Sequence, residues 1–112
     1  MRVFISGPVT GYPDYKDRFN NAELKLAETG YKVINPAKIL DFDMAEGIDP
    51  DHISKYQENM NNCYELIDEC DAIYHMKGWI GSHGCQQEHR YGILKGKIFM
   101  YEEDMWHEQR YN

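Results

Sequence analysis

The 112-residue chain has no long hydrophobic run: apolar stretches such as Ile98–Tyr101 end far short of the roughly 18 residues that a membrane span needs. Its N-terminus lacks the charged-then-apolar order of a signal peptide, so no export is expected. Cysteine is scarce and unpaired. Cys63, Cys70 and Cys85 form an odd set with no CxxC, which excludes a disulfide framework and suggests no zinc site. Free thiols without an export signal point to the cytoplasm. The histidines never fall in HExxH spacing, and neither a metal nor a cofactor is expected. Basic residues occur only singly, 12 Lys+Arg against 19 Asp+Glu for a net charge of −7. A nucleic-acid polymer held by its phosphates needs a basic face, so that class of partner is excluded. Repeats, low-complexity segments and linkers are absent as well.

What the chain does have is 42% hydrophobic residues, enough for a single core, and a length that fits one domain over residues 1–112. A chain this small leaves much of its surface exposed, so a homodimer or higher homo-oligomer is expected. Arg2–Ser6 reads as a buried strand stopped by Gly7-Pro8. Tyr15, Phe19, Ala22 and Leu26 then recur at helical spacing in a segment running to Thr29, with Gly30 as its stop. Tyr31–Asn35 alternates and ends at Pro36, a second strand, while residues 37–50 are irregular and acidic. Ile53, Tyr56, Met60, Cys63, Ile67 and Cys70 share one face of the clearest helix, with Asp51 as its expected cap. Asp71–Met76 is a third strand and Gly78–Gly81 a loop. Ser82 opens another helix to about Lys95, and Lys97–Tyr101 is a fourth strand.

Strands separated by helices make βαβ units, hence a parallel sheet covered on both faces. Ligands bind such sheets outside the carboxyl ends of the strands. The predicted ligand edge is therefore Gly7–Tyr15, the loop after Asn35, and Lys77–Glu88. In the first of these, Ser6, Gly7, Thr10 and Gly11 let backbone approach a ligand and offer N–H groups to an anion. A Gly-Pro turn also serves as plain punctuation. The loop is neither a Walker loop nor a dinucleotide fingerprint, since GK[ST] and GxGxxG are missing. In the third, Ser82 and Gly84 open a helix whose unpaired N–H groups suit a phosphate. Glu88 follows on the side of Gly84 and Cys85, either a solvated residue or an acid or nucleophile. Trp79 is placed to stack on a nucleobase or to plug the gap between helix and sheet. Asn35 is placed to bond a sugar or base edge, or to form the turn before Pro36.

The stretch VFISGPVTG, the ending INP, the strand CDAIY, the GW after it and S-x-G-x-x-x-E resemble, in this order, the nucleoside 2-deoxyribosyltransferase superfamily. The likeness is greatest to its small, often phage-encoded branch and covers the chain to Tyr101. It implies a flavodoxin-like or Rossmann-like α/β domain, with a parallel sheet of four or five strands and helices on both faces. The implied activity is on the N-glycosidic bond of a (deoxy)nucleoside monophosphate, by hydrolysis or deoxyribosyl transfer. Glu88 is then the nucleophile that attacks the anomeric carbon, as in retaining glycosidases. A serine at the Ser82 position goes with monophosphate substrates in that superfamily. Two positions depart from the pattern: Cys63 stands where an aspartate is usual, and Phe4 where a tyrosine bonds the catalytic carboxylate. That leaves His83, Glu58 and Asp71 as substitutes to protonate the leaving base, and a catalytically inactive nucleotide-binding protein as the alternative. The superfamily often completes each site with a neighbour's C-terminal region. The aromatic tail, with Met105, Trp106 and Tyr111, fits such a contact or packing on its own core.

Overall fold

The computed structural model describes residues 1–40 and 50–102, and of residues 50–55 the backbone alone. The expectations for Ile53, for the acidic stretch over 41–49 and for the tail beyond Glu102 lie outside the described residues. The strands β1 (Arg2–Ser6), β2 (Lys32–Ile34), β3 (Ala72–His75) and β4 (Ile98–Tyr101) are all parallel, in the order β2-β1-β3-β4. Helix α1 (Tyr15–Glu28) joins β1 to β2, and α3 (Pro50–Asp68) and α4 (His83–Leu94) precede and follow β3. This is an α/β fold of the flavodoxin or Rossmann type, four-stranded among the described residues. No helix among them is long and apolar enough to cross a membrane.

Strand alternation divides the core. Val3, Ile5, Ala72, Tyr74 and Met76 pack on Tyr15, Phe19, Ala22 and Leu26 of α1. Phe4 and Ile73 point the other way, onto Cys63, Ile67 and Cys70, with Phe99 and Tyr91 beside them. The apolar stripe read from the sequence is thus the buried face of α3. At α4, a Cβ on Gly92 would come within 2.6 Å of Ile73 Cδ1 and 3.0 Å of the Phe99 ring. Glycine there lets α4 lie directly on β3 and β4.

Three local expectations change. A short helix α2 (Pro36–Ile39) occupies the start of the segment expected to be irregular. Its signal was Asn-Pro: Asn35 Oδ1 accepts from Ala37 N–H at 3.0 Å, and proline is suited to a first helical position. The loop after β3 holds a 3₁₀ turn at Trp79–Gly81, entered through Gly78 at φ +89°. Helix α3 begins at Pro50, so Asp51 lies within its first turn and is not the cap.

The chain turns one way from β1 to β2 and the other way from β1 to β3. The crevice produced by that reversal opens above the carboxyl ends of β1 and β3, where Ser6 lies beside His75.

Candidate functional site

Ser6 ends β1 with its side chain on the α3/α4 side of the sheet. Its hydroxyl donates to Glu88 Oε1 at 2.6 Å in the interior. Glu88 reaches inward from the second turn of α4 and is only 7% exposed. Ser82 caps that helix, its Oγ accepting from Cys85 N–H at 3.3 Å. The first-turn N–H groups of His83 and Gly84 have no helical carbonyl to bond, because a helix start always leaves such donors. Cys63, fully buried on α3, is a second hydrogen-bonding partner of the Glu88 carboxylate.

These contacts define the electrostatics. Burial pushes Glu88 up to about 7, while the hydrogen bonds from Ser6 and Cys63 pull the other way. Burial, and then the Glu88 charge, drive the Cys63 thiol far above its ordinary value, so it keeps its proton and acts as a donor. Cys85 is pushed up to about 12, by burial first and then by Glu88, with opposing hydrogen bonds from Ser82 and Ser6. Both thiols are therefore poor nucleophiles. Glu88 is the one buried carboxyl of the described residues and stands near its midpoint at neutral pH.

A cavity of about 420 Å³ lies against this carboxyl, within the size range of small-molecule sites. Its walls are the loop after β1 (Gly7, Pro8, Val9, Thr10, Tyr12), Tyr56, Asn59 and Met60 of α3, and Ser82 to Cys85 with Glu88. Ile5, Phe19, Pro36 and the Gly78 and Gly81 backbone complete it, and among the described residues no lysine or arginine lines it. An anion here would be held by hydroxyls and backbone N–H groups. Gly7 is closely enclosed, since a Cβ would fall 2.5 Å from Met76 Sδ and 3.1 Å from the Phe19 ring. Among the described residues, no group of three or more His, Cys, Asp or Glu is arranged to hold a metal ion.

Of the residues singled out from the sequence, Gly7, Thr10, Ser82, Gly84 and Glu88 meet at this cavity. Ser6 stands behind Glu88, so its hydroxyl orients the carboxylate and is not left for a phosphate. Gly11 does not line the cavity; at φ +84° it makes the turn closed by Tyr12 N–H on Val9 O. Asn35 does not line it either, with its amide donating to Asn20 and Glu23 at 3.1 and 3.0 Å and its oxygen capping α2. Trp79 is likewise turned aside. It stacks on the buried His75 ring at 4.1 Å and 15°, against Tyr101 and His89, filling the space between helix and sheet. His75, whose Nε2 lies 3.0 Å from His89 Nδ1, is pushed down to about 3 by burial and then by His89, and stays neutral.

Of the three substitute proton donors, His83 alone lines the cavity. Asp71 accepts from Arg2 N–H at the opposite, amino end of the sheet, and Glu58 is exposed on α3 and not part of the lining. Tyr56 and Asn59 of α3 are polar cavity residues not singled out from the sequence, Tyr56 because its position on the apolar stripe reads as packing. The available signal was the phenol itself: a buried stripe seldom spends a hydroxyl without a partner.

Comparison with known proteins places the chain in one family. It belongs to the family described as Domain of unknown function (DUF4406), whose model matches residues 1–101. No curated protein and no solved structure matches the chain.

Proposed function

We propose that this member of the DUF4406 family is an enzyme that cleaves or transfers at the N-glycosidic bond of a (deoxy)nucleoside monophosphate, with Glu88 as nucleophile. One observation carries the reading: a carboxyl group buried by the fold faces a ligand-sized cavity at the switch point of a parallel sheet, fastened by Ser6 at 2.6 Å. Burying a carboxyl opposes folding unless something is gained, and a carboxylate beside a small cavity is suited to trapping an oxocarbenium-like carbon. The cap at Ser82 and the N–H groups after it support a phosphate subsite at the head of α4. Three free thiols fit a reducing, cytoplasmic setting.

A second reading rests on Cys63 and Phe4. Both are buried in the core under α3, where the resemblance implies an aspartate and a tyrosine. A nucleotide-binding protein without turnover would keep the cavity and lack those two groups. Incubation with a panel of deoxynucleoside and ribonucleoside monophosphates, read by chromatography of free base, separates the two. The enzyme reading expects base release that Glu88→Ala abolishes. Nucleotide binding by calorimetry without base release supports the second reading. Release that survives Glu88→Ala overturns the role given to Glu88.

A further inference from the structure

Gly84 and Glu88 are separated by four residues on α4, so they lie above one another on the same helix face, about 5–6 Å apart. Helix α3 passes over this face. A Cβ on Gly84 would stand 3.7 Å from the Tyr56 hydroxyl and 3.6 Å from Met60 Sδ, so the phenol hangs over the bare turn at Gly84. Tyr56 and Glu88 both line the cavity. Retaining glycosidases hold nucleophile and acid about 5–5.5 Å apart, which is close to one helical turn. The phenol is also fastened from the side: its hydroxyl meets Gln87 Oε1 at 3.4 Å, and Gln87 Nε2 meets His83 Nε2 at 3.1 Å. The long first bond leaves the hydroxyl proton open to a better acceptor.

Resting on the glycosidic reading above, we propose that Tyr56 is the catalytic acid that protonates the departing base, with Gln87 as its positioning residue. A Glu88 carboxylate oxygen bonds to the anomeric carbon as the bond from that carbon to the base nitrogen breaks. The electron pair of the broken bond goes to the base, and the Tyr56 proton follows it there. Glu88 is then an uncharged ester and Tyr56 a phenolate. In the second half, water attacks the same carbon and gives its proton to the phenolate, and the ester oxygen leaves as carboxylate. The charges exchange between neighbours. Burial, and then the Glu88 charge, keep the phenol protonated at rest; esterification removes that charge as the phenol gives up its proton.

The test compares two leaving groups on the same 2-deoxyribose 5-phosphate: a purine base, which needs a proton, and 4-nitrophenolate, which leaves as an anion. Tyr56→Phe is expected to lower kcat on the nucleotide by about 10²–10⁴-fold, the usual yield of general acid catalysis. On the nitrophenyl substrate its loss is expected to stay below about tenfold, and Gln87→Met is expected to show the same pattern more weakly. Equal losses of Tyr56→Phe on both substrates, or no loss on the nucleotide, overturn the role of Tyr56 and leave Glu88 standing. Wild type that cleaves neither substrate overturns the glycosidic reading and this inference with it.

Discussion

The two faces of the sheet are built from alternate residues of the same strands, yet their contents differ. Toward α1, β1 sends Val3 and Ile5 into a cluster that is apolar apart from tyrosine hydroxyls. Toward α3 and α4 it sends Phe4 and Ser6, and Ser6 begins a buried polar patch with Glu88, close to the Cys63 and Cys85 thiols. A polar group placed in the interior costs free energy unless it is bonded. Apart from Ile5 and Phe19, which also reach the cavity, the first face can therefore be explained by packing. The second has accepted a titrating carboxyl, which packing does not explain and the proposed role at the cavity does.

The sharpest way to break that contrast is Glu88→Gln, which keeps shape and removes the nucleophile. Base release should fall by about 10⁴-fold or more, the order seen when a covalent nucleophile is lost. On the other face, Leu26→Ala should cost about 2–5 kcal/mol in denaturant unfolding, the usual range for a buried leucine. Turnover per folded molecule should change little beside the effect of Glu88→Gln, since Leu26 does not line the cavity.

The third prediction concerns pH. The folded protein holds the Glu88 proton up to about 7, whereas an unperturbed carboxyl releases it near 4.5. The group therefore contributes stability in full below about 4.5, and that contribution is lost as pH rises through 7. The loss is ~3 kcal/mol at alkaline pH, from about 1.4 kcal/mol per pKa unit. Glu88→Gln should flatten this slope in urea titrations between pH 5 and 8. Activity should run the opposite way, rising through the same window as the carboxylate forms. Equal slopes in wild type and variant would mean that Glu88 is not the titrating group. A smaller effect is expected for Gly7→Ala, about 1–3 kcal/mol destabilising, as Met76 and Phe19 are forced apart under the cavity.

Much of this was legible in the chain because periodicity reports burial. Tyr15, Phe19, Ala22 and Leu26 at helical spacing are the buried stripe of α1, Met60, Cys63 and Ile67 are that of α3, and Cys70 is buried just past the end of α3. The ligand edge followed from parallel topology, which brought Gly7, Thr10, Ser82, Gly84 and Glu88 to one cavity. Pattern could not tell which polar groups would be used up locally. Asn35 is consumed by capping α2 and bonding α1, and Trp79 by the His75 ring. The cap is local and announced by Asn-Pro, whereas the bonds to Asn20 and Glu23 and the stack on His75 are tertiary facts with no trace in spacing. Nor could pattern show Tyr56 above Gly84, since that depends on how closely α3 crosses α4. Glycine at that crossing is a residue whose meaning appears only when the neighbouring helix is in place.

The proposed reaction requires the Glu88 carboxylate to bond covalently to the sugar. A 2-fluoro-substituted nucleoside monophosphate slows the second half-reaction, so the intermediate should accumulate and be visible by intact mass and peptide mapping. A mass increase of one fluorinated sugar phosphate is expected, located on the peptide containing Glu88 and absent from Glu88→Gln. An adduct on another residue, or base release by wild type with no adduct at all, would contradict it.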